Sequence, residues 1–121
     1  MQVVIARPAE PAQVTELEPG LAALQAAVGG YVDLVRGDGF DLWINDEGAL
    51  NGMPANRVLG RHTLFGPIVA AGHDGEGNTV GLDATTCERV VALLNGTARL
   101  DAYALEPVFG FQDILSVRRY P

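Results

Sequence analysis

The sequence predicts an α+β fold in a single domain, with antiparallel β-hairpins forming a mixed sheet packed by two main helices. Three observations carry this expectation. Short runs of apolar residues, several of them alternating with polar ones, are closed by Gly, Pro, Asn or Asp. Two other stretches, Leu21 to Val28 and Thr86 to Leu94, carry their apolar residues at helical spacing instead. The chain has 121 residues, 48% of them hydrophobic, which suits one core and is short for two. No repeat, low-complexity tract or linker divides it, so the domain is read as residues 1–121.

From the start of the chain, Gln2 to Ala6 reads as a buried strand and Arg7-Pro8-Ala9-Glu10-Pro11 as its turn. Gln13 to Leu17 returns antiparallel to it, and the prolines confine the corner to extended or edge geometry. Pro19 suits the first turn of a helix, where its missing N–H is not needed. Leu21, Leu24 and Val28 then fall at i, i+3 and i+7, one apolar stripe. Gly29 supplies a left-handed cap, and Gly30 lets the chain turn. Tyr31 opens a ribbon that reaches Glu47. In it Gly37-Asp38-Gly39 is the hairpin, and Phe40, Leu42 and Ile44 alternate with Asp41, Trp43 and Asn45. Asn45-Asp46-Glu47-Gly48 is a second turn.

Beyond the ribbon, Pro54 is read as the start of a short helix through Asn56, Arg57, Val58 and Leu59, stopped by Gly60. Gly66-Pro67 opens a strand, Ile68 to Ala71. The turn His73 to Asn78 leads to Thr79–Leu82 as its hairpin partner. Asp83, Thr85 or Thr86 caps the second helix, and Asn95-Gly96 stops it. Arg99 to Leu105 reads as a strand, Pro107 and Gly110 break their surroundings, and Ile114 to Tyr120 reads as extended chain at a sheet edge.

Charge and composition exclude some functions. The net charge is -7, the chain has no Lys, and its Arg residues form no basic run. Binding to a nucleic-acid phosphate backbone is therefore not expected, since that mode needs clustered cations. The acids are scattered, with one local concentration at Asp33, Asp38, Asp41, Asp46 and Glu47. That concentration is either a solvated surface or, if its carboxylates line one face, an acidic mimic of nucleic acid. Cys87 is the sole Cys, so no intrachain disulfide forms, which fits a reducing compartment. The run Val3-Val4-Ile5-Ala6 is too short for a signal peptide, and no stretch approaches the roughly 20 apolar residues of a membrane span. The expectation is a cytoplasmic protein without a membrane partner.

Several motifs together resemble a known family. These are Leu24-Gln25 before Val28-Gly29-Gly30-Tyr31-Val32-Asp33, then Asn45-Asp46-Glu47-Gly48, Asn56-Arg57, and Gly66-Pro67-Ile68-Val69. In this order they look like the small proteins grouped as domain of unknown function 3846. The resemblance covers about 3–82 and is best over Val28 to Gly72. Residues 85–121 read as a C-terminal extension. The resemblance implies a protein of bacteriophages, conjugative elements or their bacterial hosts, in whose cytoplasm it acts. It implies no reaction.

Candidate sites divide accordingly. The turn His73-Asp74-Gly75-Glu76-Gly77-Asn78 begins like a Ca²⁺ loop, but Thr79 stands where that loop needs Gly and Thr85 where it needs Glu. It is read as a hairpin turn. His62, His73 and Cys87 show no ligand-pair spacing, so neither a metal nor any other cofactor is expected. No nucleophile motif exists, and Ser116 is the sole Ser. Asn56-Arg57 stands out, because a guanidinium beside an amide suits phosphate, carboxylate or a base edge. One reading pairs Arg57 with an acid such as Glu47 and makes Asn56 a helix cap. The other joins both to Tyr31 at a shared ligand. Tyr31, Asn45, Glu47, Asn56 and Arg57 are the candidate ligand-binding residues. Trp43 either stacks on a ring or, as strand Trp residues more often do, packs in the core or against a second subunit.

The function expected from this is a non-enzymatic accessory protein of a phage or mobile element, with a possible anti-defence role. Its partner is a host protein or a small anionic signalling ligand. The alternatives are a homodimerising interaction module, joined through a strand edge or Trp43, and the acidic nucleic-acid mimic. A small enzyme using Glu47 or His62 as base is the weakest reading, since no partner groups stand at motif spacing.

Overall fold

A computed structural model describes residues 1–59, 61–96, 98–99 and 114–119. The elements run β1 (Gln2–Ala6), β2 (Gln13–Glu16), α1 (Leu21–Val28), β3 (Val32–Gly37), β4 (Asp41–Asn45), β5 (Ala55–Leu59), β6 (His62–Phe65), β7 (Ile68–His73), β8 (Thr79–Val80), α2 (Ala84–Gly96), β9 (Ala98–Arg99) and β10 (Ile114–Arg119). The larger sheet has the order β10-β3-β4-β7-β1-β2, with β8 added to β7. A second sheet has the order β6-β5-β9. Among the described residues every pairing is antiparallel, so the sheet is not the mixed one expected. The α+β class holds.

The apolar runs of β1 and β7 follow from burial on both faces of the large sheet. Alternate residues sort to opposite sides. Val3, Ile5, Leu34, Trp43, Val69 and Ala71 pack with Leu24 and Val28 of α1. Val4, Ala6, Val35, Phe40, Leu42, Ile68 and Ala70 pack with Cys87, Val90 and Leu94 of α2, joined by Leu59 and Leu64 from the second sheet. The large sheet is thus the middle layer, and Trp43, 5% exposed, is held under α1 rather than offered to a second subunit.

Local signals in the first helix and ribbon place most of these elements. Gly29 takes the left-handed cap at φ 81°, and the N–H groups of Gly29 and Gly30 both reach the Gln25 carbonyl. Pro19 lies outside the helix, because Gly20 is the N-cap. Tyr31 also lies just before its strand, which begins at Val32. The Asp38-Gly39 turn closes the ribbon, with the Gly37 N–H donating to the Phe40 carbonyl at 2.8 Å and Gly39 at φ 84°. The Arg89 guanidinium of α2 lies over the Phe40 ring and donates to the Asp38 carbonyl, so the hairpin tip is tied to the helix.

Asp83 is the cap of α2. Its Oδ1 accepts the Thr86 N–H at 2.7 Å, and its bonds to the Thr86 backbone and side chain hold the carboxyl below its ordinary value. A depressed folded value means the ionised cap stabilises the fold above the usual Asp range and is lost as the pH falls through the folded value. Circular-dichroism melts in a pH series are expected to show Asp83→Ala below the parent at neutral pH. The gap is expected to close under acid. In the β7–β8 turn, Asp74 likewise accepts the N–H groups of Glu76 and Asn78, the Asx geometry of a hairpin rather than the opening of a cation cage.

The stretch read as a short helix from Pro54 is β5, paired with β6, a strand the sequence reading did not identify. The register shifts between Ala55 and Arg57. This bulge is the physical reason two successive side chains, Asn56 and Arg57, both point inward. Of the stretch Arg99 to Leu105, the structure describes Arg99 in β9, and the remainder lies outside the described residues, as do Pro107, Gly110 and Tyr120. The last expected strand is present as β10, at the edge of the large sheet beside β3.

Candidate functional site

Among the described residues, four polar side chains are buried: Asp41, Asn45, Asn56 and Arg57. Three of these were candidate ligand residues, and each has its bonds inside the fold. Arg57 is fully buried. Its Nε donates to the Leu94 carbonyl at 2.9 Å and its Nη2 to the Glu10 carbonyl at 2.8 Å. Its Nη1 reaches the Asn56 Oδ1 at 2.6 Å and, more weakly, the Arg7 carbonyl at 3.4 Å. Leu94 lies in the last turn of α2, where carbonyls lack helical partners and the helix dipole is negative. Backbone carbonyls and the Asn56 amide oxygen thus bind this cation, whereas Glu47, the acid named as its expected partner, is exposed in the turn after β4.

Asn56 completes the bracket. Its Nδ2 donates to the carbonyls of Ala6 and Gly66, each at 2.7 Å. Together the two side chains join β1, the β1–β2 connection, β5, the β6–β7 turn and the end of α2. Ala9, in the left-handed region at φ 62°, sits between the two carbonyls that Arg57 holds, Arg7 and Glu10. Asn95 adds a further tie, its Oδ1 accepting the Ala12 N–H at 2.8 Å.

Tyr31, Asn45 and Glu47 gather elsewhere, at the end of the β3–β4 ribbon. Asn45 is buried, with its Nδ2 on the Val28 carbonyl at 3.2 Å and its Oδ1 accepting the Glu47 N–H at 2.8 Å. Tyr31 is 63% exposed and its carbonyl accepts the Asp46 N–H. Glu47 is exposed in the turn. The five candidates thus form two groups, one interior and one at a ribbon end.

A third group has no counterpart among the candidates visible in the sequence. Asp41 is 2% exposed and lies between Arg36 on β3 and His73 on β7. Its Oδ2 meets His73 Nδ1 at 2.9 Å, and its Oδ1 is 3.2 Å from Arg36 Nε, off the hydrogen-bond line. The signal was divided among three strands, so no spacing in the chain displays it. Cys87 is also unsuited to chemistry: it is buried on α2, and burial, then the Asp83 charge, push its thiol up.

A concavity of about 490 Å³ lies between α1 and the β1–β2 hairpin. Ile5, Leu17, Ala23, Ala26 and Ala27 give it an apolar lining, and Arg7, Glu16 and Glu18 charge it. A smaller one of about 360 Å³ shares Glu16, Leu17 and Glu18. The small side chains that favour helix in α1 also leave this space open.

The family model described as a domain of unknown function (DUF3846) matches residues 1–95, most of the chain. The chain belongs to the DUF3846 family. The DUF3846 segment takes in α1, α2 up to Asn95, and the strands β1 to β8, whereas β9 and β10 follow it. Both halves of the Arg57 bracket, Glu10 and Leu94, fall within the segment. No curated protein and no solved structure matches this DUF3846 chain. None of its described helices is long and apolar enough to cross a membrane.

Proposed function

We propose that this chain is a non-enzymatic accessory protein of a phage or mobile element that acts by binding a protein of its host through the α1–β2 side. The observation that supports it is the open, largely apolar concavity there, beside an edge strand exposed at all four of its residues. A small anion is the less favoured ligand, because the guanidinium best suited to it is engaged by backbone carbonyls.

The test is copurification from host cells with crosslinking, comparing the parent with Ala26→Arg. Ala26 is exposed on α1, so the variant folds while blocking the concavity. A stoichiometric protein retained by the parent and lost by Ala26→Arg supports the reading. A partner indifferent to Ala26→Arg, or calorimetric binding of a nucleotide signal with no protein partner, overturns it.

A further inference from the structure

Resting on that reading, we infer that the partner contributes an extended, basic segment that pairs with β2 as an added strand. β2 ends the large sheet, and β1 covers its inner side alone. The mutual backbone bonds of Met1 and Leu17, at 2.7 and 2.9 Å, mark a hydrogen-bonded pair. In an antiparallel ladder such pairs alternate with non-bonded ones. The observed register then makes Val3–Thr15 and Ile5–Gln13 bonded pairs, and turns the N–H and C=O groups of Val14 and Glu16 away from β1. The Ala12 N–H fits this alternation, since it also points outward and is closed off by Asn95. Among the described residues no strand pairs with Val14 and Glu16 on that side, and both are exposed, which makes them a template for strand addition.

Charge selects the occupant. Glu16 and Glu18 line both concavities beside this edge, on a chain of net charge -7; the Met1 ammonium lies 3.4 Å from Glu16 Oε2, yet the Glu16 side chain stays 80% exposed to an incoming cation. A second copy of the chain would bring like charges together along β2, whereas a basic segment neutralises them. Val14, an apolar side chain 44% exposed, offers a neighbouring contact on the same edge. Arg7 stands at the other end of the larger concavity, so the basic residues belong over the Glu16–Glu18 end. An added strand lays alternate side chains towards α1 and away from it, one set reaching the apolar lining.

The probe is a synthetic peptide of about ten residues alternating lysine and valine, compared with its glutamate–valine counterpart. Binding is read by calorimetry, and amide exchange at Val14 and Glu16 by NMR. The expected result is binding that weakens with salt, with both amides protected. Glu16→Gln with Glu18→Gln is expected to weaken it about five-fold. Val14→Pro removes an outward N–H that no β1 bond uses, a change edge strands tolerate, and is expected to abolish it. Failure of the lysine peptide to bind, equal binding by the glutamate peptide, or indifference to Val14→Pro in a folded variant each overturns the inference. So does a parent dimer in sedimentation that Val14→Pro dissociates. If a native partner is still lost on Ala26→Arg after such a failure, the proposed function stands and the partner docks without strand addition.

Discussion

Arg57→Met is expected to destabilise the protein by about 3–5 kcal/mol, the range for removing one side of a buried charged network. The methionine keeps most of the volume but donates nothing. The carbonyls of Leu94 and Glu10 and the Asn56 Oδ1 are left buried or half-buried without this donor. The end of α2, the β1–β2 connection and β5 lose their common tie at once. Arg57→Lys is expected to recover only part of the loss, because one ammonium cannot span acceptors that the guanidinium fork reaches in several directions. Urea denaturation followed by circular dichroism measures both. A folded Arg57→Met protein of parental stability that had lost partner binding would instead make Arg57 a ligand residue.

Gly37→Ala is expected to cost about 1–3 kcal/mol through overpacking. A Cβ at this position would fall inside van der Waals contact of the Phe40 ring, which is fully buried and lies beneath Arg89. The ring cannot retreat without disturbing the core around Val90 and Leu94. At Gly30 the corresponding Cβ would stand 2.9 Å from Asn45 Nδ2, a side-chain amide at the end of the ribbon. Gly30→Ala is therefore expected to cost less than Gly37→Ala. Thermal melts of the two variants side by side give the ranking, and a reversed order would show that the ring gives way more readily than the amide.

Much of the fold is legible because it rests on local rules. The Asp38-Gly39 hairpin, the left-handed Gly29 cap, the Asp83 cap and the Asx turn at Asp74 need only residues within a few positions of one another. The stretch after Pro54 is not legible, for the opposite reason. Pro54 and Leu59 suit a helix locally, but pairing with β6 and β9 decides in favour of strand. The candidate site was half legible. Asn45, Asn56 and Arg57 are unusual residues in their contexts, and the structure does give them special surroundings. Their partners, among them Ala6, Val28 and Leu94, are backbone carbonyls, and a carbonyl has no signature in sequence.

By itself the sequence determined the α+β class, most element boundaries, the acidic balance and the family resemblance, since each depends on composition or on short-range spacing. Tertiary structure alone decided that Asn56 and Arg57 face inward, because a bulge in β5 turns both the same way and long-range acceptors hold them there. It also decided that Asp41 lies between Arg36 and His73, and that β2 ends the large sheet among the described strands, beside α1. Which strand ends a sheet is fixed by how all the others pair, and no single segment of the chain carries that information.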